Sequence, residues 1–310
     1  MKKLVAVMLS GMMALCLAAC GNSADTGKPA ASAESDTSVL HVQFVPTNND
    51  GTMEAKADPF AQYLTKKLGR EVKVTLATDY STIVEAMASG KIDIGIMPPA
   101  AYVQARNMGA AKALLSSSLG DYDQETEQPI ENSAVSTFKG EVICMADSDM
   151  KTLADLKGKK IATLSANSAS GYIYPVAELK EIGIDPTKEC TLVTVNDIPS
   201  EITAVLNGQV DAAFVFEGAR YVFNNKFESQ DLFQELKVLY LTKGDIPNDA
   251  IAVRPDMDSA LQEKVKEVFL QMPEDEEGKE AMSMWNHKAY TEPDEKAYDT
   301  MESYIEAAAQ

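Results

Sequence analysis

Histidine is nearly missing from this chain: His41 and His287 are the two in 310 residues. A Ser-His-Asp set, a Cys-His pair or a histidine metal centre needs an imidazole placed beside its partners. His41 lies within the apolar run VLHVQFV and His287 follows Trp285 in a polar stretch, so neither reads as a base or a ligand. Cysteine is also scarce. Cys16 and Cys20 fall in the first twenty residues, which leaves Cys144 and Cys190 for the body. Without CxxC or a zinc-type Cys/His spacing, no metal and no cofactor is expected. Outside the cytoplasm Cys144 and Cys190 could pair; two buried thiols are the equal alternative. Positive charge is the third shortage. Lys and Arg number 28 against 47 Asp and Glu, a net −19. That argues against nucleic acid as a partner. It also works against long-range attraction of an anion, so an anion site here must be local and built from backbone. No glycine-rich phosphate loop with a lysine is present.

What is there begins with an address. Lys2 and Lys3 precede an uncharged apolar stretch, Leu4 to Ala19, too short and wrongly flanked for a membrane span. It ends Leu17-Ala18-Ala19-Cys20, which matches the bacterial lipoprotein cleavage box and implies lipid on the Cys20 sulfur. Removal of the leader takes the charge from −19 to −21, because Lys2 and Lys3 leave with it. Residues 20–38 are small and polar and read as a flexible tether. No second long apolar run follows, so the mature chain is expected to be held at a membrane surface without crossing it. About 270 residues remain, enough for two lobes with their own cores.

A fifteen-residue phrase occurs twice. DYSTIVEAMASGKID spans Asp79 to Asp93, and DIPSEITAVLNGQVD spans Asp197 to Asp211. Each opens with Asp and candidate hydroxyl caps (Ser81 and Thr82, then Ser200), runs through an apolar-periodic helix to Gly90 or Gly208, and continues into an apolar strand. Two copies of one helix–turn–strand unit predict two similar α/β lobes with a cleft between them. Elsewhere too, continuous apolar strands alternate with helices, the pattern of a doubly wound α/β architecture. Ligands of such sheets bind beyond the carboxyl ends of the strands. The loops there are rich in hydroxyl, amide and Gly residues: Pro46 to Gly51, Thr78 to Thr82, Pro98 to Tyr102, Ser165 to Gly171 and Asn196 to Ser200. Each opens a helix, whose first turn offers free N–H groups and a partial positive charge. Several such ends can hold an anion without Lys or Arg. Thr47, Asn48 and Ser200 are site candidates from this position alone.

The phrases ATDYSTIVEAMASGKIDIG, NSASGYIYP and IPNDAIAVRPD resemble the phosphonate/phosphite/phosphate-binding family of ABC-transporter solute-binding proteins, over about Val39 to Asp258. The resemblance implies a two-lobed type 2 periplasmic-binding fold with two hinge crossovers. It also implies capture of a small phosphorus oxyanion, without catalysis, for a permease driven by a cytoplasmic ATPase. It places the lobes at 39–135 plus 244–310 and at 140–236, with crossings near 136–141 and 237–243. Tyr80 stands on the family's phosphonyl-contacting tyrosine. Ser168, Ala169, Ser170 and Gly171 stand on its Ser-Thr-Ser-Gly loop, with Ala169 in place of the Thr. Asp249 stands on an acidic position that faces the amine of aminophosphonates.

Two family features are changed. The aromatic residues after the third strand are Ile96 and Met97 here, and Ile198 and Pro199 occupy the stretch that carries a histidine. Glu217 is a second carboxylate able to meet a cationic group, and Tyr102 and Tyr172 are candidates for stacking. The changes leave open a same-fold receptor for another organic anion, zwitterion or heterocycle, or a ligand-sensing surface lipoprotein. The acidic C-terminal helix is expected to pack on the first lobe with a solvated outer face.

Overall fold

Strand and helix alternate along residues 38–46, 51–227 and 229–310, the part that the structure, a computed structural model, describes. The strands are β1 (Leu40–Phe44), β2 (Val72–Leu76), β3 (Ile94–Met97), β4 (Lys112–Ser118), β5 (Thr137–Phe138), β6 (Gly140–Met145), β7 (Lys160–Thr163), β8 (Thr191–Thr194), β9 (Ala212–Phe216), β10 (Leu236–Leu241), β11 (Ile246–Pro247), β12 (Ala250–Val253) and β13 (Ala289–Thr291). The helices are α1 (Thr52–Leu68), α2 (Tyr80–Ala88), α3 (Pro99–Asn107), α4 (Tyr174–Glu181), α5 (Pro186–Glu189), α6 (Ile198–Leu206), α7 (Ala219–Phe223), α8 (Leu232–Glu235), α9 (Ser259–Gln271), α10 (Glu276–Met282) and α11 (Glu295–Ala309). The expected leader, Cys20, the expected tether up to residue 37, Thr47 and Asn48 lie outside the described residues.

Two sheets carry the two lobes. One has the order β13-β4-β12-β3-β1-β2, with β1 parallel to β2 and β3, and β12 antiparallel between β3 and β4. The other has the order β10-β6-β9-β7-β8, with β7 parallel to β8 and β9 and with β6 and β10 antiparallel. Strands β3 and β12 are buried at every position, as continuous apolar runs in a covered sheet should be. Phe44, Phe60, Phe269 and Trp285 pack edge to face in the first lobe's core.

The repeated phrase becomes a repeated structure, bond for bond. The Asp79 carboxylate accepts from Thr82 N–H at 2.8 Å, and Asp197 accepts from Ser200 N–H at 2.8 Å. The caps of α2 and α6 are therefore these aspartates rather than the hydroxyls expected from the sequence. A short acceptor held by extended backbone reaches the N3 amide directly. At the other end, Gly90 and Gly208 take φ of 68° and 65°, the left-handed conformation that glycine adopts without steric cost. Asp93 then accepts from His41 N–H, and Asp211 from Lys160 N–H, both at 2.8 Å. Each phrase thus ties its own end to the neighbouring parallel strand.

The lobes are joined by two chain segments running side by side. β5 pairs antiparallel with β11, and Gly140 and Thr242 exchange hydrogen bonds of 2.9 Å. Residues 237–241, expected in the second crossing, belong to β10 inside the second sheet, so this second segment starts at Thr242. Residues 119–135, which lead out of β4, are fastened to α7 by a buried two-bond ion pair, Glu127–Arg220, at 2.6 and 2.9 Å. Helix α11 departs from its expected place on one lobe. Arg106 of α3 binds Glu295, Asp299 and Glu302 of α11. On the other lobe, Tyr304 stacks on Tyr174 of α4 at 3.9 Å, and Lys180 donates to Ala308 O at 2.7 Å. The helix spans both lobes because its aromatic face continues past the end of the first. Cys144 is a free thiol on β6, and Cys190 a free thiol whose sulfur lies 3.1 Å from Leu156 O. No helix of the described residues is long and apolar enough to cross a membrane.

Candidate functional site

The amino end of α2 and the loop after β7 meet across the cleft. Tyr80 is the first residue of α2, directed there by the Asp79 cap. Ser168 caps the turn 169–173 that leads into α4, and its Oγ accepts from Gly171 N–H at 3.2 Å. Burial pushes the Tyr80 phenol up to about 12; hydrogen bonding from Ser168 opposes this, and the carboxylates of Asp249 and Glu201 reinforce it. The phenol is therefore a neutral donor at neutral pH, where an anion's oxygen would need one.

The loop geometry depends on glycine at 171. A Cβ there would lie 2.8 Å from Leu164 Cγ and 2.9 Å from Ser168 Oγ, closer than packed atoms come. Leu164 N–H bonds Gly171 O at 3.1 Å, which folds the loop back onto the end of β7. Ala169 and Ser170 are buried in this turn, at the start of which N–H groups have no preceding carbonyl to serve. Asp249, between β11 and β12, has its Oδ2 3.5 Å from Nε2 of the buried His287. Tyr80, Ser168, Ala169, Ser170, Gly171 and Asp249 are thus brought to one region.

Other candidates are placed elsewhere. Ser200 is exposed; its N–H is spent on the Asp197 cap, and it lines a surface groove of about 470 Å3 with Lys160, Thr203 and Gln209 on the outer flank of α6. Glu217 lies at the crossing, where its carboxylate accepts from Lys139 N–H at 3.1 Å, and burial pushes its carboxyl up. Tyr102 is fully buried, accepts from Ala113 N–H at 3.1 Å and packs edge to face on Tyr298, which makes it core rather than a stacking surface. Tyr172 is half-buried against core residues. Ile96 and Met97 are buried in the first lobe.

The residue that sequence reasoning passed over is Glu201, on the inner face of α6. It is fully buried, and neither carboxylate oxygen has a hydrogen-bond partner. Its signal was in the repeat, where it stands opposite Ile83.

The family model for "ABC transporter, phosphonate, periplasmic substrate-binding protein" matches residues 42–298. The chain is 28% identical over 214 residues to the phosphate-import protein PhnD of Mycolicibacterium smegmatis, covering 66% of this chain and 63% of that one. It thus spans less than two thirds of that relative's length. It is 26% identical over 248 residues to the phosphonates-binding periplasmic protein of Escherichia coli, covering 77% and 68%. Among solved structures, a binding protein component of an ABC phosphonate transporter from Pseudomonas aeruginosa superposes with a TM-score of 0.70 at 19% identity, covering 88% of each chain. PhnD1 of Prochlorococcus marinus, in complex with methylphosphonate, superposes with a TM-score of 0.66 at 20% identity, covering 86% and 96%. These neighbours share the two-lobed type 2 periplasmic-binding fold. With the fold in common and the model matched over most of its length, the chain belongs to the family of phosphonate ABC-transporter periplasmic substrate-binding proteins.

Proposed function

We propose that this protein is the extracytoplasmic solute-binding component of an ABC importer and binds a small phosphorus oxyanion: a phosphonate, phosphite or phosphate. The observation that carries this reading is the meeting of the Tyr80 phenol with the Ser168 loop across the cleft. Neutral hydroxyls and helix-start amides are the donors an anion needs in a chain as acidic as this one. Family membership and the relatives' names, phosphate import and phosphonate binding, point the same way. The protein is read as a receptor and not a catalyst.

In this reading the two lobes close over the ligand by rotation about the paired crossings. Contacts from both lobes favour the closed state. A lipid on Cys20 holds the protein at the membrane, where a permease with its cytoplasmic ATPase takes the ligand. Asp249 favours a second reading within the same site, a zwitterionic aminophosphonate whose amine meets this carboxylate.

Thermal unfolding of the full chain against phosphate, phosphite, methylphosphonate, 2-aminoethylphosphonate, sulfate and several non-phosphorus metabolites tests both readings. A ligand at a hundred times its Kd adds about 2.7 kcal/mol, a clear melting shift. Shifts with phosphorus oxyanions alone support the oxyanion reading, and a larger shift with the amino compound supports the second. Shifts only with other metabolites would overturn both.

A further inference from the structure

Glu201 has no structural task. A buried carboxylate without partners costs several kcal/mol relative to an apolar side chain. The matching position on α2 shows what packing alone selects: Ile83, also fully buried. Ile198, Ile202 and Val205 already give α6 its apolar docking face.

Long helical side chains lean toward the amino end of their own helix. That end of α6 opens beyond the carboxyl ends of β7 and β8, beside the loop that carries Ser168. The charge of Glu201 is also the least of the four influences on the Tyr80 phenol, after burial, Ser168 and Asp249. Three groups therefore converge from three elements: Tyr80 from α2, Ser168 from the loop after β7, and Glu201 from α6. The surrounding charges are Asp197 on its own helix and Asp249 beyond Tyr80. Of the strands beneath α6, β7 carries Lys160 at its far end and β6 carries Glu141. Burial first, then Asp197, push the Glu201 carboxyl well above the usual carboxylate range, and no cation offsets them among the described residues.

We propose that Glu201 is the proton-bearing contact of the anion site, with one proton held between its carboxyl group and an oxygen of the bound oxyanion. This rests on the oxyanion reading above. When the carboxyl is neutral it donates to a fully ionised ligand. When it is ionised the ligand brings the proton as P–OH and the carboxylate accepts. In both cases one proton lies between two oxygens. When neither group carries it, two anions face each other out of water and binding fails. Phosphonates and phosphate can carry that proton near neutral pH, and sulfate cannot. Glu201 therefore determines specificity for phosphorus over sulfur oxyanions, with the margin widening as pH rises.

Calorimetric titration of the purified full chain with methylphosphonate and sulfate, from about pH 6 to about pH 9, tests this. In the wild type the preference for methylphosphonate over sulfate should grow about tenfold or more across that range. Glu201→Gln, whose amide donates without a dissociable proton, should flatten the profile and lower the preference about tenfold or more. Glu201→Ile, the residue of the matching position, should weaken methylphosphonate binding about tenfold. Unchanged affinities, preference and pH profile in both variants would make Glu201 a buried bystander and leave the oxyanion reading standing. A wild-type preference for 2-aminoethylphosphonate over methylphosphonate, titrated alongside, that both variants lose would make Glu201 a cation contact, which overturns the proposal. A wild type that binds no phosphorus oxyanion would remove the proposal together with the reading beneath it.

Discussion

Tyr80 contributes a hydroxyl to the cleft and a ring to the core beside it, and the two roles separate by substitution. Tyr80→Phe keeps the ring. Its melting temperature should match the wild type, while ligand affinity falls about ten- to a hundredfold in a titration. Ser170→Ala should behave alike. Glu201 gives a stability signature independent of any ligand. Its folded-state pKa is raised, so its contribution is fully present below the unfolded value, about 4.3, and is lost as pH rises toward the folded value. Glu201→Ile should therefore melt close to the wild type in acid and increasingly above it toward neutral pH. Tyr80 and the Ser168–Gly171 loop were legible in the sequence because they sit in short local phrases. Glu201 was not, because nothing local marks a glutamate in the first turn of a helix as buried. Ser200 was a plausible candidate by position, but N-capping commits its amide and turns its hydroxyl outward.

The capped helix is the unit that the two lobes share. Asp79→Ala and Asp197→Ala should each cost about 1 kcal/mol, since they remove equivalent caps. The Thr82 backbone N–H holds the Asp79 carboxyl below its ordinary range. The sign is thus opposite to that of Glu201: the stabilisation is present above the unfolded value, about 3.9, and disappears as pH falls through the folded one. Melting curves of Asp79→Ala and wild type should converge in acid and separate at neutral pH. Most long elements could be read from periodicity and glycine stops, with ends displaced by a few residues. α1 begins at Thr52, five residues before Ala57, where the apolar row first appears, because Gly51 turns the chain with φ of 78° and the first turns are largely polar. The short strands β5, β11 and β13 could not be read, because two or three residues carry no period; their existence depends on the partner strand.

At the scale of the molecule, Glu178 holds the two lobes at their junction. It is buried on α4 and accepts from the Tyr240 and Tyr304 hydroxyls at 2.6 and 3.0 Å, and from the N–H groups of Lys243 and Gly244, both at 3.1 Å. Glu178→Ala strands four donors on β10, the crossing and α11, so it should cost about 3 kcal/mol or more and lower the melting temperature by roughly 6–10 °C. The order of the first sheet has a consequence in time. β4 pairs only with β12 and β13 in its sheet, so it has no neighbour there until residue 253 has been made. The second sheet is complete at residue 241. On a chain growing from its amino terminus, the half begun first is therefore finished last. A nascent chain stopped between the two sheets' completion would carry one closed lobe and one open-edged one, the state in which chaperone capture or proteolysis should concentrate.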